Sequence, residues 1–243
     1  IALAKDKGKI LIGEPLAVQP FKDLSRRDYG RPARDDHSGM LPPKLAQIMI
    51  NLACLDDQAE LLADPFCGSG TVLSEALLLG YNNLAGSDIS PKAIDDTYKN
   101  LSWIKELYKV SGARTNLKVK DVTRLSQFLK ASSVGAVVTE PFLGPQRGQL
   151  DLKRVVAELE DLYTAAIREF RAVLRPGGRA VMAWPLFYGQ KPIAPKYDGF
   201  ELLEMIPEDL RPHPFLKKNS RATIIYGRPG QKVYREIAVL RKK

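Results

Sequence analysis

Short apolar runs alternate with amphipathic stretches along most of the chain. Leu61-Leu62-Ala63 is a compact apolar run, and the stretch from Val72 to Gly80 behind it is amphipathic. That order reads as strand, turn, helix, and it repeats. Asn82–Ile89 predicts a second strand, and Pro91 to about Tyr108 a helix with proline in its first turn. Asn116–Lys120, Gly135–Thr139 and Arg179–Trp184 predict three more strands. Between the last two, Leu152–Leu174 places Val155, Leu159, Tyr163, Ile167 and Phe170 on one helical face, and Arg175-Pro-Gly-Gly178 ends it. Upstream, Pro42-Pro43 opens a helix to about Leu55, striped by Leu45, Ile48, Met49 and Leu52. Lys9–Ile12 reads as a short strand and Glu14–Pro20 as a proline-punctuated connector. Downstream, Phe200–Ile206, Ala222–Tyr226 and Lys232–Leu240 read as strands, the last two a hairpin across Gly227–Gly230. Strands alternating with helices in this way imply a doubly wound α/β sheet.

The chemistry concentrates at the first strand–helix turn, Asp64-Pro65-Phe66-Cys67-Gly68-Ser69-Gly70-Thr71. Gly68 and Gly70 carry no Cβ, so the backbone there can bend sharply and a ligand can lie against it. A dinucleotide fingerprint would need a third small residue where Leu73 stands, and a phosphate loop of the Walker type would need Gly-Lys-Ser/Thr. Asp64 would repel a phosphate and suits a cationic group such as the ammonium of an amino-acid moiety. Two further acids, Asp88 and Asp121, are expected to close the second and third strands. Asp88 lies 18 residues beyond Gly70, close to the offset at which a carboxylate reaches ribose hydroxyls. Either acid alone could equally cap a helix; three in succession argue for a nucleoside-binding edge.

Composition narrows the setting. At 243 residues, 44% hydrophobic and 27% charged, the chain suits one sizeable domain with appendages. No apolar run approaches the ~20 residues of a membrane span. Two cysteines, Cys54 and Cys67, make neither a disulfide framework nor a zinc site, and His37 and His213 are isolated, so no metal is expected. A cytoplasmic protein is the expectation. Residues 211–243 hold ten Lys or Arg and one acid, Glu236, which accounts for the whole net charge of +9. Such a segment favours a phosphate backbone, although a solvated strand face with a basic end reads the same way. Ser25–Arg34, with four arginines among turn residues, reads as a polar linker or as part of an RNA path. The first residue is Ile, and an upstream domain is expected.

The loop Asp64–Thr71 resembles the cofactor loop of class I S-adenosylmethionine-dependent methyltransferases. More narrowly, Arg31-Pro-Ala-Arg34 followed by Gly39-Met-Leu-Pro-Pro-Lys-Leu-Ala-Gln-Ile-Met-Ile-Asn-Leu-Ala53 is similar to the RNA branch that often carries a THUMP RNA-binding domain, including tRNA guanine-N2 methyltransferases. The matches cover about residues 26–185. The resemblance implies a Rossmann-like seven-stranded, mostly parallel sheet with a C-terminal antiparallel hairpin. It implies a methyltransferase domain over 38–243, behind a linker or extension over 1–37 that is a remnant of a THUMP-like domain. It also implies that Asp64, Phe66, Gly68, Gly70 and Thr71 hold the methionine end of the cofactor, Asp88 and Ile89 its ribose, and Asp121 and Val122 its adenine. The helix opening at Pro42-Pro43 would start near the cofactor.

Behind the fourth strand stands Glu140-Pro141-Phe142-Leu143-Gly144-Pro145. Relatives acting on exocyclic amines carry Asp, Asn or Ser there, then Pro-Pro, then Tyr or Phe. An acceptor oxygen and a backbone carbonyl orient the amine lone pair, and the aromatic ring stacks on the flipped base. This chain departs from the pattern: Glu140 is a methylene longer, and the stacking ring is lost unless Phe142 supplies it after a shift of one residue. A variant amino-methyltransferase, a different target atom and lost catalysis all remain open. The favoured reading is methyl transfer to an exocyclic amine of RNA, guanosine N2 in tRNA, with Glu140, Pro141 and Phe142 as catalytic residues. The rivals are a DNA adenine-N6 methyltransferase and a cofactor-binding RNA module without catalysis.

Overall fold

The computed structural model describes residues 1–243 apart from 35–39, 146–150, 189–190, 214–220, 222 and 229. His37, the expected boundary at 37/38 and the first residue of the expected strand at Ala222 lie outside the described residues. The chain divides into two units, Ile1–Arg31 and Pro32–Lys243.

In the first unit, β1 (Ala2–Asp6) and β2 (Lys9–Gly13) form an antiparallel hairpin in register from Ala2 opposite Gly13 to Asp6 opposite Lys9. Its two-residue turn, Lys7-Gly8, has positive φ at both positions (45° and 82°), the twist that tight hairpins prefer. Helix α1 (Phe21–Tyr29) follows. This corrects the turn-rich reading of Ser25–Tyr29: Phe21–Tyr29 contains neither Gly nor Pro, and the breakers Gly30 and Pro32 come after the helix. Arg31 donates through Nε to the Arg27 carbonyl at 2.9 Å, one turn back.

The second unit is built on one sheet. Its strands are β3 (Leu62–Asp64), β4 (Asn83–Asp88), β5 (Arg114–Val119), β6 (Val134–Thr139), β7 (Leu174–Phe187), β8 (Lys191–Pro192), β9 (Phe200–Leu202), β10 (Ile224–Tyr226) and β11 (Val233–Lys242). The main path runs β5-β4-β3-β6-β7-β11-β10, with β8 beside β7 and β9 beside β11. The five strands from β5 to β7 are parallel, while β11 pairs antiparallel with both β7 and β10. The expected seven-stranded path with a terminal antiparallel hairpin is therefore present.

Helices α2 (Pro43–Leu52), α3 (Thr71–Leu78) and α4 (Pro91–Tyr108) cover one face, and α5 (Leu152–Val173) with a 3-10 turn over Val122–Gln127 covers the other. Buried residues alternate between the two cores along β6: Ala136 and Val138 face the α2–α4 side, and Val137 faces α5.

Three expectations at element level need correction. The strand expected over Phe200–Ile206 stops at Leu202. β9 and β10 share the outer edge of β11, at 240–242 and 235–237 respectively, which leaves no room for a seven-residue partner. Arg175–Gly178 does not separate helix from strand; it forms an irregularity inside β7, whose partners on β6 shift between Val134 and Ala136. Finally, β5 ends at Val119, so Asp121 stands two residues past the strand and opens the 3-10 turn instead of closing the strand.

Candidate active site at the strand tips

The tips of β3, β4 and β6 and the segments behind them enclose a cleft of about 580 Å³, within the usual range for small-molecule sites. The turn after β3 is pinned at several points. Cys67 N–H donates to the Ser87 carbonyl on β4 at 3.0 Å, and Gly70 N–H to the Cys67 carbonyl at 2.7 Å. Gly70 then serves as the N-cap of α3 with φ 82°, where a Cβ would lie 2.9 Å from Thr97 Cγ2.

Two polar residues on α4 that the sequence reading did not single out hold the turn from behind. Thr97 Oγ1 donates to the Gly68 carbonyl at 2.8 Å. Asn100 Nδ2 donates to the carbonyls of Ser69 (2.8 Å) and Ala33 (2.9 Å), and Asn100 Oδ1 accepts from Ala33 N–H at 3.0 Å. Both residues are buried. Asn100 thus clips the segment around Ala33 to the glycine turn, a physical link between the two sequence matches. The signal was present: Thr97 and Asn100 fall on the apolar stripe of α4 beside Leu101 and Ile104, where a polar residue needs a partner.

The three acids all line the cleft. Asp64 is almost fully buried and accepts from Thr139 Oγ1 at 2.6 Å and Phe66 N–H at 3.2 Å, so it ties the tip of β3 to the tip of β6. Burial raises its pKa to about 7, and the charges of Asp88 and Glu140 push the same way, against the two hydrogen bonds. Asp88 accepts from Gly68 N–H at 3.0 Å and Ser90 N–H at 2.9 Å. The cap of α4 is Ser90, whose hydroxyl accepts from Ala93 N–H at 3.3 Å, and each Asp88 oxygen keeps acceptor capacity toward the cleft. Asp121 does cap its 3-10 turn, taking both Thr123 N–H (2.8 Å) and Thr123 Oγ1 (2.9 Å) on one carboxylate oxygen. Ile89, Val122, Phe66, Gly68 and Thr71 line the cleft as well, with Met40 and Leu41 just before α2. Gly70, at the cap of α3, completes the turn.

The far wall is Glu140-Pro141-Phe142-Leu143. Phe142 is 58% exposed, whereas Leu143 is buried. Tyr163 on α5, fully buried, donates its hydroxyl to the Phe142 carbonyl at 3.0 Å and fixes the loop backbone. Burial and the nearby Glu140 charge push the Tyr163 phenol well above its ordinary pKa, so it stays a donor. Glu140 forms a forked ion pair with Arg235 of β11, through Nε and, at 3.3 Å, through Nη2. Among the described residues no group of His, Cys, Asp and Glu is placed to hold a metal ion.

A parallel sheet of this strand order, with an acid-rimmed glycine turn at its carboxyl end, defines a Rossmann-like methyltransferase fold. TrmN from Thermus thermophilus superposes with a TM-score of 0.59 at 22% identity over 94% of this chain and 55% of that one. Geranyl diphosphate methyltransferase, solved in complex with SAM, superposes with a TM-score of 0.53 at 13% identity, covering 84% of this chain and 86% of its own. The chain belongs to the RMKL-like methyltransferase domain family, whose model matches residues 31–186.

Among curated proteins it is 31% identical over 150 residues to a tRNA (guanine(10)-N2)-dimethyltransferase of Methanocaldococcus jannaschii, covering 61% of this chain and 39% of that protein. A protein of the same name from Pyrococcus abyssi is 29% identical over 164 residues, covering 68% of this chain and 43% of the relative. The chain thus spans about two fifths of the length of these curated relatives.

Proposed function

We propose that this chain binds S-adenosylmethionine and transfers its methyl group to an exocyclic amine of RNA, guanosine N2 of a tRNA. The observation that carries the reading is the placement of Asp64, Asp88 and Asp121 around one cleft whose opposite wall is Glu140-Pro141-Phe142. The donor set fits the cofactor. Asp64 is suited to its ammonium, with Phe66, Gly68, Gly70 and Thr71 around the methionine end. The two oxygens of Asp88 suit vicinal ribose hydroxyls with Ile89 beside them, and Asp121 and Val122 suit the adenine edge. When bound, the cofactor supplies an already activated methyl group, so no strong base is needed in the chain.

The protein's own contribution is positioning and exclusion of water. Glu140 and the Pro141 carbonyl accept hydrogen bonds from the target amine and turn its lone pair toward the methyl group. The exposed Phe142 ring stacks on the unstacked base, which answers the missing aromatic one residue further on. The relatives' names support guanosine N2 in tRNA, and the basic character of residues 211–243 supports an RNA partner. In this reading a THUMP-like domain or a separate partner delivers the RNA, and the protein works in the cytoplasm. No described helix is long and apolar enough to cross a membrane.

The test is direct. The protein is incubated with methyl-labelled cofactor and either bulk tRNA or duplex DNA, and the methylated nucleoside is identified after digestion. N2-methylated guanosine from tRNA is the expected product. Label confined to adenine in DNA would overturn the reading, and cofactor binding without transfer to either would leave a binding module in its place.

A further inference from the structure

Glu140 departs from the shorter Asp, Asn or Ser of related amino-methyltransferases, and it is also the residue that Arg235 grips. The geometry connects the two facts. Glu140 follows β6, β7 lies next in the sheet, and β11 lies beyond β7. Because β11 runs antiparallel, its beginning stands at the same end of the sheet as the tips of the parallel strands, with Arg235 opposite Pro185 of β7. A side chain from β11 must therefore cross β7 to meet one from the end of β6, a span of two strand spacings, roughly 10 Å. A long arginine and a glutamate reach across it; an aspartate would stop about a methylene short. Both side chains are nearly buried, 11% and 13% exposed, so the pair is desolvated and each partner needs the other.

We propose that Arg235 is a positioning residue for the amine-accepting carboxylate of Glu140, and that this pair replaces the shorter acceptor of related enzymes. The inference rests on the amino-methyltransferase reading above. Arg235 occupies both carboxylate oxygens along its fork and fixes the carboxylate plane, which leaves the outward lone pairs of Glu140 to face the cleft. The guanidinium supplies no proton and touches no substrate. It sets the direction from which the target N–H is accepted, and so the direction in which the amine lone pair points. The site is thereby completed by a residue about 95 positions away in sequence, from outside residues 31–186 that the family model matches. The outward carboxylate oxygens accept N–H donors and disfavour ring nitrogens that present only a lone pair.

The test measures kcat and KM for methyl transfer to tRNA, with cofactor affinity measured separately, in the wild-type protein and in the variants Arg235→Met, Arg235→Lys and Glu140→Asp. Loss of orientation should lower kcat by about 100-fold in Arg235→Met while cofactor affinity stays within about twofold. Arg235→Lys keeps the charge without the fork and should recover only part of kcat. Glu140→Asp should also lose kcat, although it restores a residue the related enzymes use. The double variant Arg235→Met/Glu140→Asp should be no worse than the poorer single variant, because both changes break one unit.

Wild-type kcat in both Arg235 variants would overturn the proposal, as would additive losses in the double variant, or full activity in Glu140→Asp. The two charge-conserving variants keep the question open to measurement even if Arg235→Met does not fold. A wild-type protein that methylates no RNA amine would overturn the parent reading and this proposal with it. Transfer by the wild type with indifferent Arg235 variants would overturn the positioning role alone.

Discussion

Asp64 is held as a buried acid whose pKa lies near 7, and this has two measurable consequences. In the folded protein it binds its proton more tightly than in the unfolded chain, where a carboxylate titrates near 4. Its contribution to stability is therefore full below about pH 4 and is lost as pH rises through about 7. The melting temperature without cofactor should fall between about pH 5 and pH 8, and Asp64→Asn should flatten that fall. An ammonium placed against Asp64 favours the ionised form, so cofactor affinity should rise with pH up to about 7 and level off above it. Calorimetry in buffers of different ionisation enthalpy should record proton release on binding at about pH 6. A pH-independent affinity would remove the ammonium from Asp64. Phe142 makes a separate prediction at this scale. Phe142→Ala should raise the KM for RNA and lower kcat, with cofactor affinity unchanged, because base stacking is worth about 1–3 kcal/mol.

Among the elements, α4 does more than cover the sheet, since its buried Thr97 and Asn100 hold the glycine turn in shape. Asn100→Ala would strip partners from Ser69 and from both backbone groups of Ala33, and should cost about 3 kcal/mol in urea unfolding. Cofactor affinity should fall with it, because the turn and the segment near Ala33 lose their shared clip.

The same element shows what sequence can and cannot convey. Its ends, Pro91 and Tyr108, were legible from a proline at the first turn and an apolar period. So were the order of strands, the glycine turn and the acids beside it, because each is a local pattern set by backbone geometry. The bonds of Asn100 to residues 33 and 69 were not, since they depend on which loops the fold brings behind the helix. Asp121 directly follows a run that reads as a strand, and of the two roles open to it there, strand end and cap, the structure takes the cap. Arg235 was hidden for another reason: it sat in a segment whose ten basic residues invited a collective electrostatic reading. Yet it shares a strand face with Ile237 and Val239, both buried, and a charge on such a face calls for a counter-charge.

For the molecule as a whole, the net charge of +9 sets how it meets a polyanion. Affinity for tRNA should drop steeply between about 50 and 200 mM salt, while methyl-donor affinity changes little. A flat salt response would argue against a phosphate-tracking surface. The sheet adds a constraint of a different kind. β11 is added late in the chain yet is inserted in space between β7 and β10, both of which precede it. Its nine pairings with β7 join residues 179–187 to residues 233–241. A polypeptide interrupted before residue 233 would still possess the glycine bend and its ring of acids. It would leave the apolar flank of β7 as an open edge, prone to intermolecular pairing. It would also lack the guanidinium that steers Glu140, so even a soluble fragment of that length should grip the nucleoside and fail to spend it.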